Sequence, residues 1–293
     1  MDLMTTTDVH IVVGFDGSDD ATSALSFAAA EALAREGDLR IVYAIDDTML
    51  NSTWGIVFDV DAERRGGEEL LAKARAQAIE AGLAPEAVET GTLLGQPAAV
   101  LTKLSEDAAL VVVGRRSESG ERSMFVGSTA AGLAGAAGCP VVMTSQLNAT
   151  EAETKAIGVG LDPGAHGLVA VEWAMKRAKR LGDRVQVLTV VKKAQSRFLL
   201  GSGPSEEQIA RAVADVRAQV EAAVGELRAA APDVDVAVEV RYGSPIDELL
   251  AFSEEQDMLI LGVHPSFPTY SLGGVVRGLM AHANCTLGLI RHK

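Results

Sequence analysis

Gly114-Arg-Arg-Ser117 is followed by nine residues and then by Gly127-Ser128-Thr129, which opens an Ala/Gly-rich stretch. A glycine that ends a strand lets the backbone come close to a ligand. A Gly-Ser-Thr at a helix start presents free amides, hydroxyls and the positive end of the helix dipole to an anion. Together these residue types suit a polyphosphate. Arg115, Arg116 and Arg122 add positive charge in the same loop, offset in part by Glu118 and Glu121. Taken by themselves, Gly127, Ser128 and Thr129 also read as a plain helix cap. The spacing, and the repeat in which it sits, favour the phosphate reading.

Other chemistry lacks its residues. No Gly-x-Gly-x-x-Gly follows a first strand and no Gly-x4-Gly-Lys-(Ser/Thr) occurs, so neither a dinucleotide fingerprint nor a P-loop is present. His10, His166, His264, His282 and His292 are scattered, without metal-ligand spacing or an evident nucleophile beside them. No catalytic residue and no metal ligand is assigned. Acidic pairs such as Asp46-Asp47 and Glu68-Glu69 read as solvated faces, since Mg2+ held with a nucleotide needs only one or two carboxylates beside phosphate and water.

The elements that must position the loop are written twice. Ile11-Val-Val-Gly-Phe-Asp16 recurs as Ile157-Gly-Val-Gly-Leu-Asp162, and Cys139-Pro-Val-Val-Met143 as Cys285-Thr-Leu-Gly-Leu289, each 146 residues on. Gly95-Gln-Pro97 and Leu110-Val-Val-Val-Gly114 recur 148 residues on, as Gly243-Ser-Pro245 and Met258-Leu-Ile-Leu-Gly262. A repeat of this period predicts two domains, 1–147 and 154–293, with a linker near 146–154. Short β-branched runs alternate with Ala-rich amphipathic stretches, the pattern of βαβ units around a parallel sheet. Strands are expected near 10–15, 39–45, 87–92, 109–114 and 140–145, and again near 155–161, 185–191, 235–241, 257–262 and 286–291, with four helices in each half. The clearest helix starts at a Ser205-Glu-Glu-Gln208 capping box. Its stripe of Ile209, Val213, Val216, Val220 and Leu227 predicts a face packed on the sheet. In such a fold the chemistry sits at the strand C-terminal ends, where strand order reverses.

Composition narrows the partners. A formal net charge of -14 repels nucleic acid and anionic membrane surfaces. Cys139 and Cys285 have no neighbouring thiol, which predicts two reduced, buried cysteines and a cytoplasmic protein. Residues 1–10 lack an apolar signal core and no aliphatic run is long enough for a bilayer, so neither export nor membrane insertion is expected.

The loop resembles that of the universal stress protein family, whose ATP-binding members carry Gly-x2-Gly-x9-Gly-(Ser/Thr) after the fourth strand. Here it reads Gly114-x2-Ser117-x9-Gly127-Ser128, with Ser117 standing where the family has glycine. The resemblance extends to Gly14-Phe-Asp16, Tyr43-Ala-Ile45, Gly95-Gln-Pro97 and Cys139-Pro-Val141. It implies two tandem open five-stranded parallel-sheet α/β sandwiches, Rossmann-like and of the adenine nucleotide alpha hydrolase-like type. It further implies that Asp16 contacts adenine or ribose, that the backbone at Ala44 meets the adenine edge, and that Gly114, Gly127 and Ser128 hold ribose and phosphates. Arg116, Ser117 and Thr129 complete the expected site. Asp16 also reads as the N-terminal cap of the first helix.

The second half departs further. Gly262-Val-His-Pro265 opens its loop, the span to Gly273-Gly274 is two residues shorter, no hydroxyl follows Gly273, and Pro163 and Gly164 replace Gly17 and Ser18. This half is expected to bind nucleotide weakly or to serve as a structural partner. The implied function is a non-catalytic ATP-binding stress or signalling protein, with Mg2+ only as a companion of ATP. The alternatives are an ATP-hydrolysing enzyme of the same fold and a nucleotide-free assembly module. Pairing through the fifth strands, between the halves or in a homodimer, and an unidentified protein partner are implied as well.

Overall fold

The computed structural model describes residues 10–46, 59–116, 126–145, 156–162, 167–193, 204–263 and 272–291. The chain splits into two compact units, Met1–Ala149 with Phe267–Ser271 and Thr150–Ser266 with Leu272–Lys293. The expected linker, 146–154, lies outside the described residues.

In the first unit the chain runs β1 (His10–Gly14), α1 (Asp19–Arg35), β2 (Asp38–Ile45), α2 (Val60–Glu80), β3 (Val88–Leu94), α3 (Pro97–Leu104), β4 (Leu110–Gly114), α4 (Ser128–Ala136) and β5 (Val141–Thr144). The strands are parallel, in the order β3-β2-β1-β4-β5, with Val13 opposite Ile41 and Val112. Parallel strands covered on both faces must be apolar throughout. Accordingly Ile11 to Val13, Leu110 to Val113 and Val141 to Met143 are all buried. Ala24, Ala28 and Ala32 of α1 are small enough to bring that helix close to the sheet, and they too are buried. α1 packs with α2 and α3 with α4, so both faces are covered.

The second unit repeats the plan with β6 (Ala156–Gly160), α5 (Leu168–Leu181), β7 (Arg184–Lys192), α6 (Glu206–Ala230), β8 (Val236–Gly243), α7 (Pro245–Ser253), β9 (Met258–Val263), α8 (Gly274–His282) and β10 (Thr286–Arg291). Its parallel strands run β10-β9-β6-β7-β8. All ten strands fall within two residues of the positions read from the sequence, and Cys139 and Cys285 are free and buried. The Ser205 capping box forms, with Ser205 Oγ accepting from the Gln208 amide.

The stripe behind that cap does face the sheet, with α6 packed on β8 and β7, but its coverage is uneven. Only Val220 and Val224 of α6 are fully buried, while Ile209, Val213, Val216 and Leu227 are half-buried. At about 1.5 Å per residue the 25-residue helix outruns the eight-residue β8, which rises about 3.3 Å per residue. Helical spacing reports a face, but the strand beneath sets how much of that face is covered.

Candidate functional site

β1 sits between β2 and β4, so the chain leaves it in one direction and returns in the other. The crevice this opens lies at the strand C-terminal ends. The Phe15 amide continues the ladder by donating to the Val42 carbonyl at 2.9 Å. The turn into α1 then needs Gly17 at φ 85°, a conformation glycine adopts without steric cost. Ser18, not Asp16, caps α1: its Oγ accepts from the Ala21 amide at 3.1 Å. Asp16 Oδ1 accepts from the Ser18 amide at 3.0 Å, which orders the turn and leaves an exposed carboxylate at the crevice. The capping role read from the sequence thus belongs to the neighbouring serine.

Across the crevice, β4 ends at Gly114, where a Cβ would lie 2.9 Å from both the Ala21 nitrogen and the Asp20 carbonyl carbon. The glycine is therefore required by the approach of α1, independently of any ligand. Beyond it the Arg115 amide donates to the Thr144 carbonyl at 2.8 Å, and the Gly127 amide donates to the Arg115 carbonyl at 2.9 Å. The loop is thereby closed at its base. Gly127 is the N-cap of α4, as the plain capping reading had it, but it provides no side-chain cap, so no N-cap side chain covers the first-turn amides. Arg115 is 2% exposed and is not among the residues around the crevice, which corrects its expected contribution of charge to the loop. Arg116 does line the crevice. Ser117, Glu118, Glu121 and Arg122 lie outside the described residues.

The crevice encloses a cavity of about 210 Å3. It brings together Asp16, Ala44, Gly114, Arg116, Gly127, Ser128 and Thr129, all of the expected site residues except Ser117. It also contains residues the sequence reading did not assign to the site: Phe15, Tyr43, Pro97, Leu101 and Ala130. Tyr43 is held from behind. Its hydroxyl donates to Glu63 Oε1 at 2.7 Å, and its ring occupies the space where Gly67 would carry a Cβ. The signal was a Gly66-Gly67 pair inside an otherwise helical stretch, where glycine costs stability and implies a packing reason.

The second unit keeps the frame with different furniture. A Cβ on Gly160 would meet Leu249 and Leu261, as one on Gly14 would meet Leu101 and Val113. Thr189, at the position of Tyr43, is buried, and its hydroxyl donates to the Leu161 carbonyl at 2.9 Å. α8 starts after an N-cap Gly273 that has no capping side chain, and its first residue is Gly274 where α4 has Ser128. Asp162 is exposed at the end of β6, whereas Pro163, Gly164, His166, His264 and Pro265 lie outside the described residues, as do Asp47 and His292. Among the described residues no three His, Cys, Asp or Glu side chains are grouped to hold a metal, and no helix is long and apolar enough to cross a membrane.

Known proteins resemble this chain across both units. A universal stress protein of Mycobacterium tuberculosis is 33% identical over 184 residues, 61% of this chain; this chain spans only 64% of that relative's length. Another from the same organism is 29% identical over 279 residues, covering 94% of each. The crystal structure of a universal stress protein from Archaeoglobus fulgidus superposes with a TM-score of 0.73 over 97% of this chain and 96% of its own. At 18% identity that likeness bears on the fold, the Rossmann-like adenine nucleotide alpha hydrolase-like arrangement. The sequence profile of the universal stress protein family matches residues 9–145 and again 153–291, so this chain belongs to that family as a tandem member.

Proposed function

We propose that the first unit binds ATP in the crevice between β1, β2 and β4, and that the protein acts in stress response or signalling through nucleotide-dependent conformation or interactions, without catalysis. The observation that carries this reading is the convergence of Asp16, Ala44, Gly114, Arg116, Gly127, Ser128 and Thr129 on one cavity. Its volume, about 210 Å3, lies below the roughly 300 Å3 at which pockets for drug-sized ligands begin. A base and ribose suit that space, with the phosphates running out along Arg116 and the start of α4. Exposed Asp16 then accepts from ribose or adenine, and the uncapped amides and hydroxyls of Ser128 and Thr129 receive the anion. Mg2+ enters only with ATP. A ligand that prefers one conformation shifts the population towards it, which is all a signalling role needs. Cytoplasmic location, homodimer formation and a protein partner belong to this same reading.

The test is to denature the purified protein, identify any released nucleotide and titrate the emptied protein with ATP by calorimetry. The expected result is about one adenine nucleotide per chain, since no hydroxyl follows Gly273 where Ser128 follows Gly127. No released nucleotide together with no heat of ATP binding sinks the reading. Steady phosphate release above that of a Gly127 variant replaces it with an ATP-hydrolysing enzyme.

A further inference from the structure

We infer that Asp20 is a positioning residue for the phosphate end of the crevice, acting through the base of the loop that follows β4. This rests on the ATP reading above and extends it to a residue that does not line the cavity.

Asp20 lies in the first turn of α1 and is 8% exposed. Its Oδ2 accepts from the Arg116 amide at 3.1 Å, and its backbone carbonyl accepts from Thr144 Oγ1 at 3.1 Å. One residue of α1 therefore grips the second residue beyond β4 and the last residue of β5 together. Two backbone bonds join the same base: Arg115 N–H to the Thr144 carbonyl, and Gly127 N–H to the Arg115 carbonyl. Gly114 permits the approach, since any Cβ there would collide with Asp20 and Ala21.

Two consequences follow for an anion in the crevice. The Arg116 amide is already engaged, so Arg116 contributes its side chain rather than its backbone. The carboxylate also fixes where that residue leaves the sheet, and with it the start of the loop that ends at Gly127. A charge-assisted bond from a buried carboxylate to an amide is among the stronger local restraints available to a chain. Its loss frees the loop base while the nucleoside part of the cavity, lined by Phe15, Val42, Ala44 and Leu101, is untouched.

The experiment compares ATP with adenosine on the intact chain and on Asp20→Ala and Asp20→Asn, by calorimetry, with thermal unfolding alongside. Asp20→Ala is expected to weaken ATP on the order of tenfold or more and to leave adenosine within about twofold. Asp20→Asn, whose amide oxygen still accepts from the Arg116 N–H, is expected to recover a large part of the loss. Rescue and ligand selectivity are what a merely structural role would not produce. Equal losses for ATP and adenosine overturn the inference, as does unchanged ATP binding in Asp20→Ala. Tighter ATP binding in both variants also overturns it, because then the carboxylate acts only as a repelling charge. If the unsubstituted chain binds neither ligand, the ATP reading falls and this inference with it; ATP binding that ignores Asp20 fells the inference alone.

Discussion

Gly114 shows how one residue can carry two readings that only coordinates separate. Its type and place announced close backbone approach, and close approach is what it provides, yet the nearest atoms are the Ala21 nitrogen and the Asp20 carbonyl carbon of α1. Gly114→Ala is therefore expected to destabilise the fold by about 1–3 kcal/mol, as overpacking against backbone does, with nucleotide binding falling as a consequence. Urea denaturation of the substituted and unsubstituted chains checks this; equal stability with lost ATP binding would return Gly114 to a purely ligand-facing role. The residue types at the crevice were legible because each carries its chemistry in its name: an acid after β1, glycines beside β4 and α4, hydroxyls at a helix start. Asp20 was not. Its partner Arg116 stands 96 positions away, and nothing in the local pattern of α1 distinguishes a carboxylate turned into the protein from the solvated Asp19 beside it.

At the scale of elements, the strands were readable to within two residues because parallel strands covered on both faces leave little choice but continuous apolar runs. Helix coverage was less readable, as the half-buried start of α6 shows, since it depends on how far a neighbouring strand extends. α2 offers a sharper case. Gly66 and Gly67 occupy its interior, each costing up to about 1 kcal/mol relative to alanine. A Cβ on Gly66 meets nothing within 4 Å, whereas one on Gly67 would lie 2.5 Å from the Tyr43 ring. Gly66→Ala is expected to stabilise the protein by roughly 0.5–1 kcal/mol, the ordinary propensity gain. Gly67→Ala is expected to forfeit that gain, because the ring must leave its seat and strain its hydrogen bond to Glu63. Chemical denaturation of the two variants separates them. Equal stabilisation would mean that Tyr43 yields freely and that α2 does not set its position at the crevice.

Across the whole molecule, duplication has kept frame and lost detail unevenly. A buried serine illustrates the frame: Ser105 Oγ donates to the Thr102 carbonyl and accepts from the Gly138 amide at 2.8 Å, and Ser253 Oγ repeats both bonds with the Leu250 carbonyl and, at 3.4 Å, the Asn284 amide. The sites have diverged instead through Ser128 against Gly274 and Tyr43 against Thr189. One matched pair of substitutions tests whether binding followed that divergence. Gly127 and Gly273 are the N-caps of α4 and α8, at φ -61°, ψ 145° and φ -56°, ψ 151°. Both conformations are open to any L-residue, so leucine at either position strains the backbone equally little. The two variants thus start from the same backbone conformation, and thermal unfolding of each separates a loss of fold from a loss of ligand contact. Gly127→Leu is expected to weaken ATP binding by more than about tenfold, or roughly 1.4 kcal/mol, and Gly273→Leu to leave it within about twofold. Calorimetric titration reads both numbers. Equal losses would mean that the shorter loop of the second unit binds nucleotide as well, and that its missing hydroxyl is no impediment.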